Sequence, residues 1–163
     1  MQILYYYPYV IFVAESVLNN AHINDASIGI QLVNSSLVVR NCTMNGNGGV
    51  QLTGTTPVSL TLDHAVFNTQ FGNVIDASLL DACDLSVTNS RLSSSGLATK
   101  LRCRGHVNVR IVNSTMKSVR GEAVDIGANV SRATVEIESS SFNGHVQVRD
   151  FAYDLRLLVC FVQ

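Results

Sequence analysis

Tryptophan is absent, proline occurs only twice, and charged residues fill just 14% of the 163 positions. With no Trp, and with tyrosine gathered near the N-terminus, aromatic platforms for stacking sugar rings are scarce. Low charge beside 47% apolar residues excludes a disordered chain, and the length suits one domain with a real core. The net charge is −1 and the 11 Lys and Arg are scattered, so no basic stripe tracks phosphates and no nucleic-acid partner is expected. The uncharged stretch from Met1 to Ala14 is too short to span a bilayer. As a signal peptide it lacks a basic start, carries Pro8 inside the apolar run and places bulky Phe12 near Ala14. Four cysteines (Cys42, Cys83, Cys103 and Cys160) form no CxxC and no Cys/His cluster at zinc spacing. They read as small buried hydrophobes, with disulfides left open for a secreted chain.

What the chain does have is a repeat. One pattern recurs: apolar, any, apolar, any, Asn-like, small, any, large apolar. Clear copies start at Leu37, Leu60, Leu85, Val109 and Val135. A fainter one is expected from Ile11 and Val13, with Glu15, Ser16 and Leu18 in its later positions. The central apolar residues are Val39, Leu62, Val87, Ile111 and Ile137, at steps of 23, 25, 24 and 26. Alternation at period 2 within each copy marks a half-buried strand. A second alternating strand follows each one, at Val50/Leu52, Ile75, Leu101, Val124/Ile126 and Val146/Val148. Strands this short are stable only when stacked, each pairing with the coil above and below and burying one face in a shared core. The chain is therefore expected to be all-β: a single right-handed, single-stranded parallel β-helix over residues 1–163, with about six coils of 23–26 residues. Gly and Asn punctuate the corners, as in Asn45-Gly46-Asn47-Gly48-Gly49, where positive φ is cheap for them.

The repeat assigns roles to single residues. Asn41, His64, Asn89, Asn113 and Ser139 share one corner position and are expected to stack, their side chains bonding neighbours and the turn backbone. Met44, Phe67, Leu92, Met116 and Phe142 are expected to form an inner apolar column. Aligning the coils sets Lys100 opposite Asp125, Arg102 opposite Asp76, Arg40 opposite Asp63 and Arg110 opposite Glu136. Such pairs contribute about 0.2–1 kcal/mol each and help fix register. The histidines (His22, His64, His106 and His145) fall at different points of their coils, so no shared metal site is expected. The outward column Val38, Thr61, Ser86, Arg110 and Glu136 is unlike the regular Thr face of an ice-binding solenoid.

Across nearly its whole length the repeat resembles the right-handed β-helix (pectin-lyase-like) superfamily. Leu60-Thr61-Leu62-Asp63-His64-Ala65-Val66-Phe67, followed by Gly72-Asn73-Val74-Ile75-Asp76, is similar to a pectate lyase segment that helps bind Ca²⁺. Asp63, His64 and Asp76 match that pattern, whereas Thr61 stands for its Trp and Gly72 for its first calcium-binding acid. The polygalacturonase pattern is matched less well: there is no Asp-Asp or Asn-Thr-Asp, and Val112 follows Arg110-Ile111 where lysine belongs. No pair of carboxylates can be nominated to flank a glycosidic bond.

Three readings of function follow. The first is a non-catalytic scaffold or surface-recognition segment of a secreted or cell-surface protein, without cofactor, meeting a polysaccharide or protein surface. Four Asn-x-Ser/Thr triplets, beginning at Asn34, Asn41, Asn113 and Asn129, fit that placement. The second is a polysaccharide lyase or hydrolase acting in a groove along one face, with Asp63, Asp76, Lys100 and Arg102 as the residues to test, Arg102 as base or uronate clamp, and Ca²⁺ as cofactor under the lyase reading alone; no later stretch matches the lyase family's catalytic arginine region. The third is an oligomeric, tailspike-like fibre segment. Apolar ends at Ile3 to Val10 and Leu157 to Gln163, with no polar cap, lead us to expect contacts with further coils of a longer solenoid or with another chain.

Overall fold

The computed structural model describes residues 10–12, 16–25, 28–46, 48–127, 131–149 and 154–160. Strands but no helices occur among them, and every pairing between strands is parallel. The strands fall into three ladders that run the length of the solenoid. The first holds β2 (Ser16–Asn19), β5 (Leu37–Arg40), β8 (Val58–Asp63), β11 (Cys83–Thr88), β14 (His106–Val112), β16 (Arg132–Glu138) and β18 (Asp154–Cys160). The second holds β3 (His22–Asn24), β6 (Thr43–Gly46), β9 (Val66–Thr69) and β12 (Arg91–Ser94), then the first halves of β15 (Thr115–Ile126) and β17 (Ser141–Val148). In the third are β1 (Val10–Phe12), β4 (Ile30–Val33), β7 (Val50–Thr53), β10 (Ile75–Leu80) and β13 (Thr99–Cys103), then the second halves of β15 and β17. The long β15 runs through the corner between the second and third ladders and joins them into one 11-stranded sheet.

The register is the one the repeat dictates. Val39, Leu62, Val87, Ile111 and Ile137 are consecutive partners in the first ladder, and Met44, Phe67, Leu92, Met116 and Phe142 in the second. Two details differ from expectation. The first copy lies later than expected, with Ser16 beside Leu37, Leu18 beside Val39 and Ile23 beside Met44. Ile11 belongs instead to β1, which pairs with β4 in the third ladder. The turn count is also slightly lower. Five turns separate β3 from β17 in the second ladder, where about six coils were expected, and β1, β2 and β18 add partial turns. The apolar end from Leu157 is a first-ladder strand as far as Cys160, with Leu157 beside Val135. The end from Ile3 to Tyr9 and the triplet's Asn129 lie outside the described residues.

Each inner face contributes to one continuous core running from Ala21 to Ile137. Burial of this apolar surface, at about 25 cal/mol per Å², is what holds together strands most of which have only three to seven residues. Backbones approach closely at some corners: a Cβ on Gly49 would sit 2.2 Å from the Asn73 carbonyl oxygen, so only glycine fits.

The corner between the first and second ladders is built the same way in every coil. Asn20, Asn41, His64, Asn89, Asn113 and Ser139 all adopt φ between 47° and 54°. One left-handed residue bends the strand, and its amide bonds the coil above, as from Asn41 N–H to Asp63 O at 3.1 Å. Asn and His tolerate this region better than most residues. The column stacks as expected, but its side chains point to solvent, and direct amide bonding within it is confined to Asn113 Nδ2 donating to Asn89 Oδ1 at 2.8 Å. The buried work falls to the next position, Ala21, Cys42, Ala65, Ser90, Ser114 and Ser140. The hydroxyl of Ser90 donates to Thr88 O at 2.6 Å and accepts the Ala65 N–H at 3.0 Å. Ser114 repeats this with Val112 O and the Ser90 N–H, and Ser140 with Glu138 O and the Ser114 N–H. Cys42 Sγ fills the same role between Arg40 O and the Ala21 N–H. Each small polar side chain thus satisfies a backbone donor that water cannot reach.

Candidate functional site

The residues nominated from sequence do not converge on one site. Asp76, Lys100 and Arg102 lie on the outer face of the third ladder, whereas Asp63 ends β8 in the first. The outward column of the third ladder reads Gln31, Gln51, Asp76, Lys100, Asp125, Gln147. Lys100 is opposite Asp125 as expected, but Asp76 is also opposite Lys100, and Arg102 is opposite Ser78. The expected Arg102–Asp76 facing is therefore wrong by two residues, the full period of the pleat. Counting along the sequence finds the correct face but does not fix the row.

Side chains then pair along and across the rows. Asp76 accepts hydrogen bonds from Asn73 Nδ2 at 2.8 Å and Ser78 Oγ at 3.1 Å, with Lys100 Nζ at 3.9 Å. Arg102 reaches diagonally to the next coil and meets Asp125 Oδ2 at 2.5 Å, while its other terminal nitrogen donates to the Leu101 and Asp125 carbonyls. Arg149 donates to the same Asp125 oxygen at 3.1 Å. The Asp125 side chain is only 3% exposed, and its Oδ1 is buried without a hydrogen-bond partner. A buried carboxylate is costly unless well compensated, and two guanidinium groups on one oxygen supply that compensation. Arg149 and Asn73 were not nominated from sequence. Arg149 was legible, since it follows Val148 as Gly127 follows Ile126 and Arg102 follows Leu101.

Asp63 is held at the first corner. Its carboxylate accepts from His64 Nδ1 at 2.8 Å, and from Thr88 Oγ1 and Asn89 Nδ2 at 3.2 Å each. The Asn89 hydrogen bond holds its carboxyl below the ordinary carboxylate range, partial burial works against this, and Thr88 and His64 add to the lowering. Arg40 is opposite Asp63 in register, as expected, and Arg110 both faces and binds Glu136, at 3.1 Å.

Ca²⁺ does not fit these residues. It needs several oxygen ligands, yet Asp76 is bordered by the Lys100 ammonium and Asp63 lies in another ladder. Among the described residues no group of three His, Cys, Asp or Glu is arranged to hold a metal ion. His22, with its ring at Thr43, His64, His106 and His145 are exposed at separate places. Cys42, Cys83 and Cys103 are buried and free. No helix among the described residues is long and apolar enough to cross a membrane.

Shallow clefts occur on the outer surface among the described residues. One, of about 270 Å³, crosses the first ladder between Ser59, Asp84, Ser86, Asn108, Arg110 and Glu136. Another, of about 150 Å³, lies beside Asp76, between Gly48, Gly49, Gln51, Asn73 and Phe71, a residue 69% exposed. Compared with family models, curated proteins and solved structures, the chain matches none of them.

Proposed function

We propose that this chain is a non-catalytic β-helix scaffold, a surface-recognition segment of a secreted or cell-surface protein of the pectin-lyase-like kind. The observation that carries the reading is the engagement of every nominated carboxylate by a side chain of its own or an adjacent coil. Asp76 is held by Asn73, Ser78 and Lys100, and Asp63 by His64, Thr88 and Asn89. Arg102, the candidate base, is committed to Asp125. A lyase base must be free to take a proton, and a hydrolase needs two carboxylates facing one bond. Charges tied to one another fix register and leave a mixed-polarity face suited to meeting a polysaccharide or protein surface.

A second reading, a polysaccharide lyase or hydrolase, draws support from the cleft beside Asp76 with its exposed Phe71. The two separate on a panel of acidic and neutral polysaccharides, with and without Ca²⁺, scored for new double bonds or reducing ends and for protein retention. The scaffold reading expects no cleavage of any member. Cleavage of a uronate polymer, lost in Asp76→Ala with the fold intact, would overturn it. Retention without cleavage would identify the partner as the retained polysaccharide.

A further inference from the structure

The outward side chains of the second ladder form two rows across the coils. One reads Asn24, Asn45, Asn68, Ser93, Lys117 and Asn143, and the other runs from His22 through Arg91 to Ser141. No Asp or Glu stands in either row. Asp25, just beyond β3, lies four coils from Lys117, roughly 19 Å at the ordinary strand spacing. Asp63, across the corner from Val66, is already held by His64, Thr88 and Asn89. Arg91 and Lys117 occupy neighbouring coils, diagonally placed, with Cα atoms roughly 8 Å apart. Both are exposed, as are the asparagines of the row. Among the described residues neither cation has an ion pair, and the side-chain amides of Asn24, Asn45, Asn68 and Asn143 have no hydrogen-bond partner within the chain. The other two ladders commit their outer charges: Asp76 to Lys100, Arg102 to Asp125, Asp84 to Asn108 and Arg110 to Glu136.

We propose that this face binds an anionic polysaccharide, with Arg91 and Lys117 each meeting a uronate carboxylate and the asparagines meeting sugar hydroxyls. Resting on the surface-recognition reading, this assignment names the face used and the class of ligand. Charge selects the sign of the ligand: two uncommitted cations, with no acid in their rows, attract carboxylates and repel cations. The amides select its kind. Each offers both donors and an acceptor oxygen, and at a coil spacing of roughly 4.8 Å they give a hydroxyl-rich chain successive contacts across the coils. A protein partner calls instead for aromatic or aliphatic anchors that become buried. Val66, 45% exposed, is the single apolar side chain in the two described rows.

The test uses the full chain and its two lysines, Lys100 on the third ladder and Lys117 on the second. The protein is acetylated briefly with and without polygalacturonate, and the extent of modification at each lysine is read by mass spectrometry of its peptides. The expected result is slower acetylation of Lys117 with polygalacturonate, no protection by its fully methyl-esterified form or by polyglutamate, and no change at Lys100. Retention on immobilised polygalacturonate should fall roughly tenfold or more in the double variant Arg91→Ser/Lys117→Ser, which loses two charge-assisted contacts. It should persist in Arg110→Ser, whose arginine is tied to Glu136 on the first ladder. Protection of Lys100 in place of Lys117, equal protection by polyglutamate, or no protection at all overturns the proposal. The scaffold reading survives each of these results, since it falls only if the polymer is cleaved. The footprint on the parent chain decides the matter even where a variant fails to fold.

Discussion

The corner after the first ladder and the corner after the third solve the same bending problem in opposite ways. After the first ladder, two residues suffice in all six described instances, the first left-handed and the second small. After the third, the fully described corners range from two residues (Asp81 and Ala82) to four (residues 54–57). The first corner is governed by backbone geometry, so every coil must repeat it, and the residues show it. The second is free to vary in length, and it is beside it that the chain brings together Arg102, Asp125 and Arg149. Regularity in this solenoid marks what the fold requires, and irregularity marks where special contacts are placed.

Breaking the irregular side should have the larger effect. Asp125→Ala leaves two guanidinium groups without their shared carboxylate. Breaking a buried pair costs about 3–5 kcal/mol, and since Arg102 and Arg149 are 27% and 46% exposed, a loss near the bottom of that range is expected in urea unfolding. At the regular corner, Ser114→Ala removes the acceptor of the buried Ser90 N–H. It should cost about 1–3 kcal/mol, while Ser139→Ala, one position earlier in its own coil and exposed, should cost less.

Asn89→Ala sharpens the comparison through pH. Asp63 sits below its ordinary pKa chiefly because Asn89 donates to it. A carboxyl lowered in this way adds stability that is complete above the unfolded value of about 3.9 and is lost as pH falls through the folded value. Without Asn89, the Asp63 carboxyl should titrate at higher pH by carbon-13 NMR, and the acid-side loss of stability traceable to it should shrink. The smallest effect belongs to the exposed Arg110–Glu136 pair, whose side chains are 50% and 37% exposed. Arg110→Ala should change stability by no more than about 1 kcal/mol, and added salt should diminish the difference.

The same contrast explains what could be read from the sequence. Five of the repeat copies align as their spacing dictates, because period-2 burial and a left-handed corner residue are local demands that each coil must meet. The first copy is misplaced because Ser16 stands where the other coils carry Leu or Val, while apolar Ile11 imitates the pattern from another ladder. On the third ladder, alternation placed Asp76, Lys100 and Arg102 on the outer face, but it could not tell which carboxylate each cation meets. That depends on long side chains reaching diagonally and on corner lengths the repeat leaves free. The buried state of Asp125, on a column that otherwise faces outward, has no counterpart in its local sequence.

The charged face of the third ladder serves the fold and is not free for chemistry. A double-mutant cycle on Arg102→Gln and Asp125→Asn, read by urea unfolding, tests it most directly. The two changes should be strongly non-additive, with a coupling of about 1–3 kcal/mol. A coupling near zero, with the single Asp125→Asn variant as stable as the parent, would contradict it and return this row of residues to candidacy as a reactive site.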